Sequence, residues 1–204
     1  MCTAVSFRVA DHYFGRNLDF EHGFQEKIII TPREFPFIFR NHISIKNHLA
    51  IIGMAVEAES YPLYFDATNE AGLSIAGLNF PNNAHYFEFD AQYSCITPFE
   101  FIPWILCQCR TVSDCRSLCS NLRIINVPFN DQHPLTPLHW IIADRDESIV
   151  IESVKEGLNI YEDPYGVLTN NPPFPYHLYN IANYMNVSAQ EAVNRFAPNE
   201  KIYA

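Results

Sequence analysis

The sequence predicts an α+β fold in which sheet layers carry helices on their outer side. Three observations support it. Runs rich in β-branched and aromatic residues fill the first part of the chain; two short helix-like stretches follow, around Phe101–Cys109 and Ser113–Leu122; β signals then return from Leu138 onward. Strands, then helices, then strands favour layered sheets over a bundle or a barrel. With 204 residues and 14% aromatics, the chain is long enough for one domain, 1–204, with a substantial core.

The elements read as follows. "TAVSFRV" and "HYFGRNLDF" meet at a polar corner at Asp11 and read as a hairpin, with Gly15 suggesting a bulge or a close backbone approach. "EKIIITPR" and "HLAIIGMAV" suit buried strands. "LYFDATNEAGLSIAGLNF" reads as two strands around the turn "NEAG", with Asn69 and Gly72 as turn residues. In "TPFEFIPWILCQC", Phe101, Trp104, Ile105 and Cys109 fall roughly at helical spacing, and Ser113 is a plausible cap for a second helix, "DCRSLCSNL". "LHWIIADRDESIVIES" reads as a hairpin with its tip at Asp144 to Glu147, and "GLNIYED" and "YGVLTNN" continue that sheet. "SAQE", Ser188 to Glu191, is a capping box opening a short helix. The sequence stops at "NEKIYA" with no terminal strand to close a second sheet.

The net charge of −10 argues against a general nucleic-acid binder, which needs a basic face. The longest apolar runs, such as "PWILCQC", are too short to span a bilayer, and no secretory signal is visible. Six cysteines in such a chain read as reduced thiols of a cytoplasmic protein. Five of them, Cys95, Cys107, Cys109, Cys115 and Cys119, show C-x-C and C-x-x-x-C spacing within an apolar stretch, which fits buried thiols better than a zinc site. The eight histidines form no H-x-x-x-H pair, so no metal is expected. "NVS" at Asn186 is a formal glycosylation sequon, expected to be inert without a secretory signal.

The sixth cysteine, in "MCTAVSF", is different. If Met1 is removed, Cys2 carries both a thiol and a free α-amine. Their ordinary pKa values, about 8.5 and about 7.7–8.0, both lie near neutrality. One residue then offers a nucleophile and its base, the first needs of an amidase. In "FGRNLDF", Arg16 and Asp19 are three apart on a segment expected to pair with the Cys2 strand. A guanidinium there would favour the thiolate, and a carboxylate would orient the amine; a plain surface ion pair is the alternative. "GLNFP" with Asn79 and "GVLTNNPP" with Asn170 and Asn171 each place asparagine where a strand enters a Pro-containing turn. Amide donors there can face a developing oxyanion, although asparagine is also an ordinary turn residue.

Taken together, "MCT", "FGRNLDFE", "NEAGLSIAGLNFP", "LHWIIAD" and "GVLTNNP" resemble the choloylglycine hydrolase family, which includes bile salt hydrolases and penicillin V acylases. The resemblance spans essentially the whole chain. It implies an N-terminal nucleophile hydrolase with a four-layer αββα sandwich, needing no cofactor. It implies Cys2 as nucleophile with its α-amine as base, Arg16 and Asp19 around it, and Asn79 and Asn170 at the oxyanion hole. Asn170 is preferred over Asn171 because the family pattern places its asparagine directly after the threonine, here Thr169. It further implies hydrolysis of glycine- or taurine-conjugated bile salts through a thioester, and a homotetramer. Phe20, Phe24, Tyr61 and Phe65 would suit a steroid, or equally a core. "GLNFP" looks like the bile salt hydrolase branch, since penicillin V acylases often carry tyrosine at the Asn79 position. Penicillin V acylase or another N-acyl amidase is one alternative; a shortened, non-catalytic member is another. Family members run on beyond this sequence, into a "GLPGD" stretch, a further catalytic arginine and more sheet strands, so the sandwich is expected to be incomplete at its C-terminus.

Overall fold

The structure, a computed structural model, describes residues 1–21, 23–40, 44–185 and 187–190. The chain divides into a unit of Met1–Phe174 and a second of Pro175–Ala204. In the first unit, β1 (Thr3–Arg8) and β2 (His12–Asn17) form the expected hairpin. After β3 (Lys27–Thr31) comes a small ladder of β4 (Phe37–Ile38) and β5 (Ser44–Ile45). The long strands β6 (Ile51–Ala58), β7 (Tyr61–Asn69) and β8 (Ser74–Asn79) run antiparallel in succession. Then come β9 (Ser94–Ile96), α1 (Phe101–Gln108), α2 (Val112–Cys119) and β10 (Leu122–Ile124), with β9 and β10 paired in parallel. The hairpin of β11 (Leu138–Ala143) and β12 (Ser148–Val154) is followed by β13 (Gly157–Glu162) and β14 (Val167–Thr169). In the second unit, α3 (Phe174–Ile181), which starts at the boundary, is followed by a 3-10 turn at Ala182–Tyr184.

Two sheets organise the first unit. Seven strands run in the order β13-β12-β11-β8-β7-β6-β3, and three run β14-β1-β2. Alternation disappears from the central strands of the larger sheet: Ile149, Val150 and Ile151 are all buried, as are Trp140 to Ala143. Consecutive buried residues require cover on both faces of a sheet. α1 packs on β7 and β8 from one side, while β1 contacts β8 and β14 contacts β11 from the other. Helix, sheet and sheet are thus three layers of the αββα order. Each isoleucine buried in this stack contributes about 2 kcal/mol relative to exposure.

Local chemistry fixes the turns. The Asn69 backbone N–H donates to the Leu73 carbonyl, and its side-chain oxygen accepts from Ala71 and Leu73. Its side-chain nitrogen donates to the carbonyls of Leu106 and Cys109, tying the end of α1 to the β7–β8 turn. Gly72 takes the positive φ (88°) that this turn requires. The five clustered cysteines are buried, and burial pushes the Cys107 and Cys119 thiols up to about 12. Among the described residues, no group of three or more His, Cys, Asp or Glu side chains is placed to hold a metal ion.

Several elements differ from expectation. Gly15 marks no bulge: it pairs in register with Val5 and has open space around it. An irregularity lies between Met54 and Ala55, and a close approach is at Gly53, where a Cβ would stand 2.1 Å from the Asp66 carbonyl oxygen. Gly53→Ala is therefore expected to destabilise the fold by about 2 kcal/mol, read as a lower urea midpoint. β3 is an edge strand, not a buried one, with Ile28 and Ile30 68% and 67% exposed, because only β6 flanks it. The cap of α2 is Thr111, not Ser113: Thr111 and Asp114 form a reciprocal capping box, leaving Ser113 inside the first turn. Thr111→Ala is expected to cost about 1 kcal/mol, visible as a lower thermal midpoint. β14 does not continue the sheet of β13 but crosses to pair with β1. The crossing is made by Gly166, at φ 64°, whose carbonyl accepts from Ser6 N–H at 2.7 Å. The "SAQE" box, the sequon asparagine and the final "NEKIYA" lie wholly or partly outside the described residues.

Candidate active site

The β14-β1-β2 sheet brings the two ends of the first unit together. Thr3 pairs with Asn17 on one side and Thr169 on the other, so Cys2 emerges between β2 and β14. The Cys2 backbone N–H donates to Asn170 Oδ1 at 2.7 Å, across 168 residues of sequence. Asn170 Nδ2 donates to the Asn79 carbonyl at 2.9 Å. One amide therefore spans the nucleophile candidate and the end of β8. Asn171 turns elsewhere, donating to the Pro81 carbonyl and accepting from Asn83 Nδ2. With Met1 attached, Cys2 is only 2% exposed.

Asp19 lies past the end of β2 and binds the Met1 ammonium at 2.6 Å, which raises the pKa of that amine. Between Arg16 and Asp19 in sequence, Asn17 holds the same segment. Its Oδ1 accepts from Thr3 N–H at 2.6 Å and its Nδ2 donates to the Met1 carbonyl at 3.1 Å. Arg16 reaches the larger sheet, where it donates to the Gly77 carbonyl at 2.8 Å and lies 3.4 Å from Asp66. Its Nε is buried without a hydrogen-bond partner. Burial pushes the Asp66 carboxyl above its usual value, and Arg16 together with the Met54 backbone pulls it partly back. Sequence reading missed Asn17 and Asp66. Asn17 sits inside the quoted "FGRNLDF", and Asp66 is a lone carboxylate in the apolar run "LYFDAT".

Beside Arg16, Gly77 and Asn79 opens a cleft of about 370 Å³. Phe20, Phe24 and Phe65 line it as a cluster: Phe20 and Phe24 meet edge to face at 4.9 Å, each 6.2 Å from Phe65. Phe99, Phe129 and Leu135 line it as well. Tyr61 is not part of that lining; its ring packs on Phe37, Phe99 and Phe129, behind the cleft wall. Arg40 holds the wall, with its guanidinium over both Phe99 and Phe129 and a hydrogen bond to the Phe129 carbonyl. Glu100 fixes the start of the same wall through Thr97 and the Arg40 N–H. Burial raises its pKa, and those hydrogen bonds oppose the shift.

A family model described as linear amide C–N hydrolases, choloylglycine hydrolase family, matches residues 2–204. The chain belongs to this family. It is 51% identical over 197 residues to a bile salt hydrolase/transferase of Lactiplantibacillus plantarum, covering 97% of this chain and 61% of that protein. It is 37% identical over 207 residues to a conjugated bile acid hydrolase of Lactobacillus gasseri, covering 99% and 65%. The chain thus spans a little over three-fifths of the length of these curated relatives. The crystal structure of the C2A mutant of conjugated bile acid hydrolase from Clostridium perfringens superposes with a TM-score of 0.88 at 34% identity, covering 94% of this chain and 60% of that one. Penicillin V acylase from Agrobacterium tumefaciens shares the fold, with a TM-score of 0.75 at 19% identity over 92% of this chain and 58% of that one.

Proposed function

We propose that this chain carries the nucleophile and oxyanion machinery of an amidase that cleaves glycine- or taurine-conjugated bile salts. The observation that carries the reading is the Asn170 amide, which joins the Cys2 nitrogen to the Asn79 carbonyl at the head of an aromatic cleft. With Met1 removed, the Cys2 nitrogen becomes an amine. It takes the thiol proton as Sγ attacks the substrate carbonyl, then passes that proton to the leaving nitrogen. The tetrahedral oxyanion is met by the amides of Asn79 and Asn170, Asp19 orients the amine, and water releases the bile acid from the thioester. The same thioester, met by an amine instead of water, would hand on its acyl group, in keeping with the hydrolase/transferase names of the relatives. The cleft volume falls within the range of small-ligand sites, and its aromatic lining suits a rigid steroid.

No helix among the described residues is long and apolar enough to cross a membrane. A cytoplasmic homotetramer is the assembly that the family resemblance supports. The reading is tested by intact-mass measurement coupled to turnover of glycocholate, taurocholate and penicillin V. Cleavage of the bile salts by protein lacking Met1 is the expected result. Preference for penicillin V would move the assignment to an N-acyl amidase of the same machinery. Full turnover by protein that still begins with Met1 would overturn the mechanism, and no turnover by folded, trimmed protein would mark a non-catalytic member.

A further inference from the structure

We infer that the buried His139–Glu152 pair is the positioning element of the oxyanion site, clamping both ends of the loop that carries Asn170. The inference rests on the assignment of Asn170 and Asn79 to that site. Both side chains are 0% exposed, and His139 Nδ1 lies 3.1 Å from Glu152 Oε1. They stand on adjacent strands of the larger sheet, β11 and β12, yet their remaining bonds reach outside it. His139 Nε2 meets the Thr169 carbonyl at 2.8 Å, at the end of β14 in the other sheet. Glu152 Oε1 accepts the Phe174 backbone N–H at 2.9 Å. Thr169 and Phe174 are the two ends of the segment that contains Asn170. The imidazole also stacks on Phe80, with centroids 4.2 Å apart and planes 6° apart, and Phe80 directly follows Asn79. One buried pair therefore touches the residue before Asn170, the residue after Asn79 and the far end of the loop.

The protons follow from the partners. A carbonyl only accepts, so Nε2 must carry hydrogen. Phe174 N–H only donates, so Oε1 must keep an acceptor site. One proton then lies between Nδ1 and Oε1, and either placement of it leaves both loop contacts intact. A buried ionisable pair is a costly way to fill a core. Here it holds a loop between two sheets, where an apolar pair would offer neither donor nor acceptor. His139 and Glu152 are positioning residues; nothing places them against the substrate.

The test compares His139→Gln with His139→Asn in the full chain. Both replace the ring with a neutral amide, but only glutamine is long enough to donate to the Thr169 carbonyl. With glycocholate, His139→Asn is expected to lose about 10- to 100-fold in kcat with KM within about twofold, because the loss falls on transition-state charge. His139→Gln is expected to recover most of that kcat. Side-chain amide NMR of Asn170, assigned with Asn170→Asp, gives a readout independent of turnover. Its proton bonded to the Asn79 carbonyl should stay at a hydrogen-bonded position in His139→Gln and move to a solvent-like one in His139→Asn. If the wild type cleaves no bile salt, the functional reading fails while this readout still decides the clamp. Unchanged Asn170 signals in His139→Asn overturn the proposal. So does an imidazole ¹⁵N spectrum of the wild type showing His139 without a proton on Nε2, a result that needs no variant to fold.

Discussion

Cys2→Ser is expected to reduce bile salt cleavage by at least about a thousandfold, because a hydroxyl is barely ionised near neutrality and loses the thiol's intrinsic nucleophilicity. The swap is almost isosteric. Cys2 is buried, and its backbone N–H, not its sulfur, makes the bond to Asn170. The melting temperature and far-UV spectrum should therefore stay close to those of the parent. Loss of turnover accompanied by loss of fold would point to a structural thiol. Retained turnover would remove Cys2 from the chemistry altogether, and stopped-flow detection of a thioester burst in the parent alone would place the missing step at acyl transfer.

Arg16→Met is expected to destabilise the fold by about 3 kcal/mol, since it leaves the Asp66 carboxylate, already penalised by burial, without its counter-charge, and the Gly77 carbonyl without its donor. The double variant Arg16→Met with Asp66→Asn should recover much of that loss, because removing both charges of a buried pair is often close to neutral. Chemical denaturation of both variants beside the parent checks this. The pH dependence carries a sign. The Asp66 pKa is raised in the folded state, so between the ordinary value of 3.8 and that raised value the folded chain holds a proton that the unfolded chain releases. Stability should fall as pH rises through that window and be independent of this group above it. In Asp66→Asn, this part of the slope should vanish.

Much of the fold was legible because turn chemistry is local. The β1–β2 hairpin, the β7–β8 turn at Asn69 and Gly72, and the β11–β12 tip at Asp144 each follow from a few neighbouring residues. The edge position of β3 was not legible. "KIIIT" reads as apolar whichever strand lies beside it, and only the sheet order shows Ile28 and Ile30 to be open. The crossing of β14 was hidden for a similar reason: "VLT" can pair in either sheet, and Gly166 decides. In the site, Cys2, Asn79 and Asn170 stood out as motif pieces, but the bond joining Cys2 to Asn170 spans 168 positions and leaves no trace in either motif alone. Asp66 and His139 were missed because an isolated polar residue on a strand usually faces water. What buries His139 and partly covers Asp66 is a second sheet lying over the first, and that stacking is a property of the whole unit.

The Asn170 contact with the backbone of residue 2 forms while the initiator methionine is still attached. Under the proposed mechanism, assembly of the pocket and arming of the nucleophile are therefore separate events. A preparation with ragged N-termini would melt over nearly one transition, since trimming removes only the exposed Met1 contacts with Asp19 and Asn17, yet its specific activity would rise in proportion to the trimmed fraction seen by mass spectrometry. Calorimetry alone would not reveal a half-armed sample.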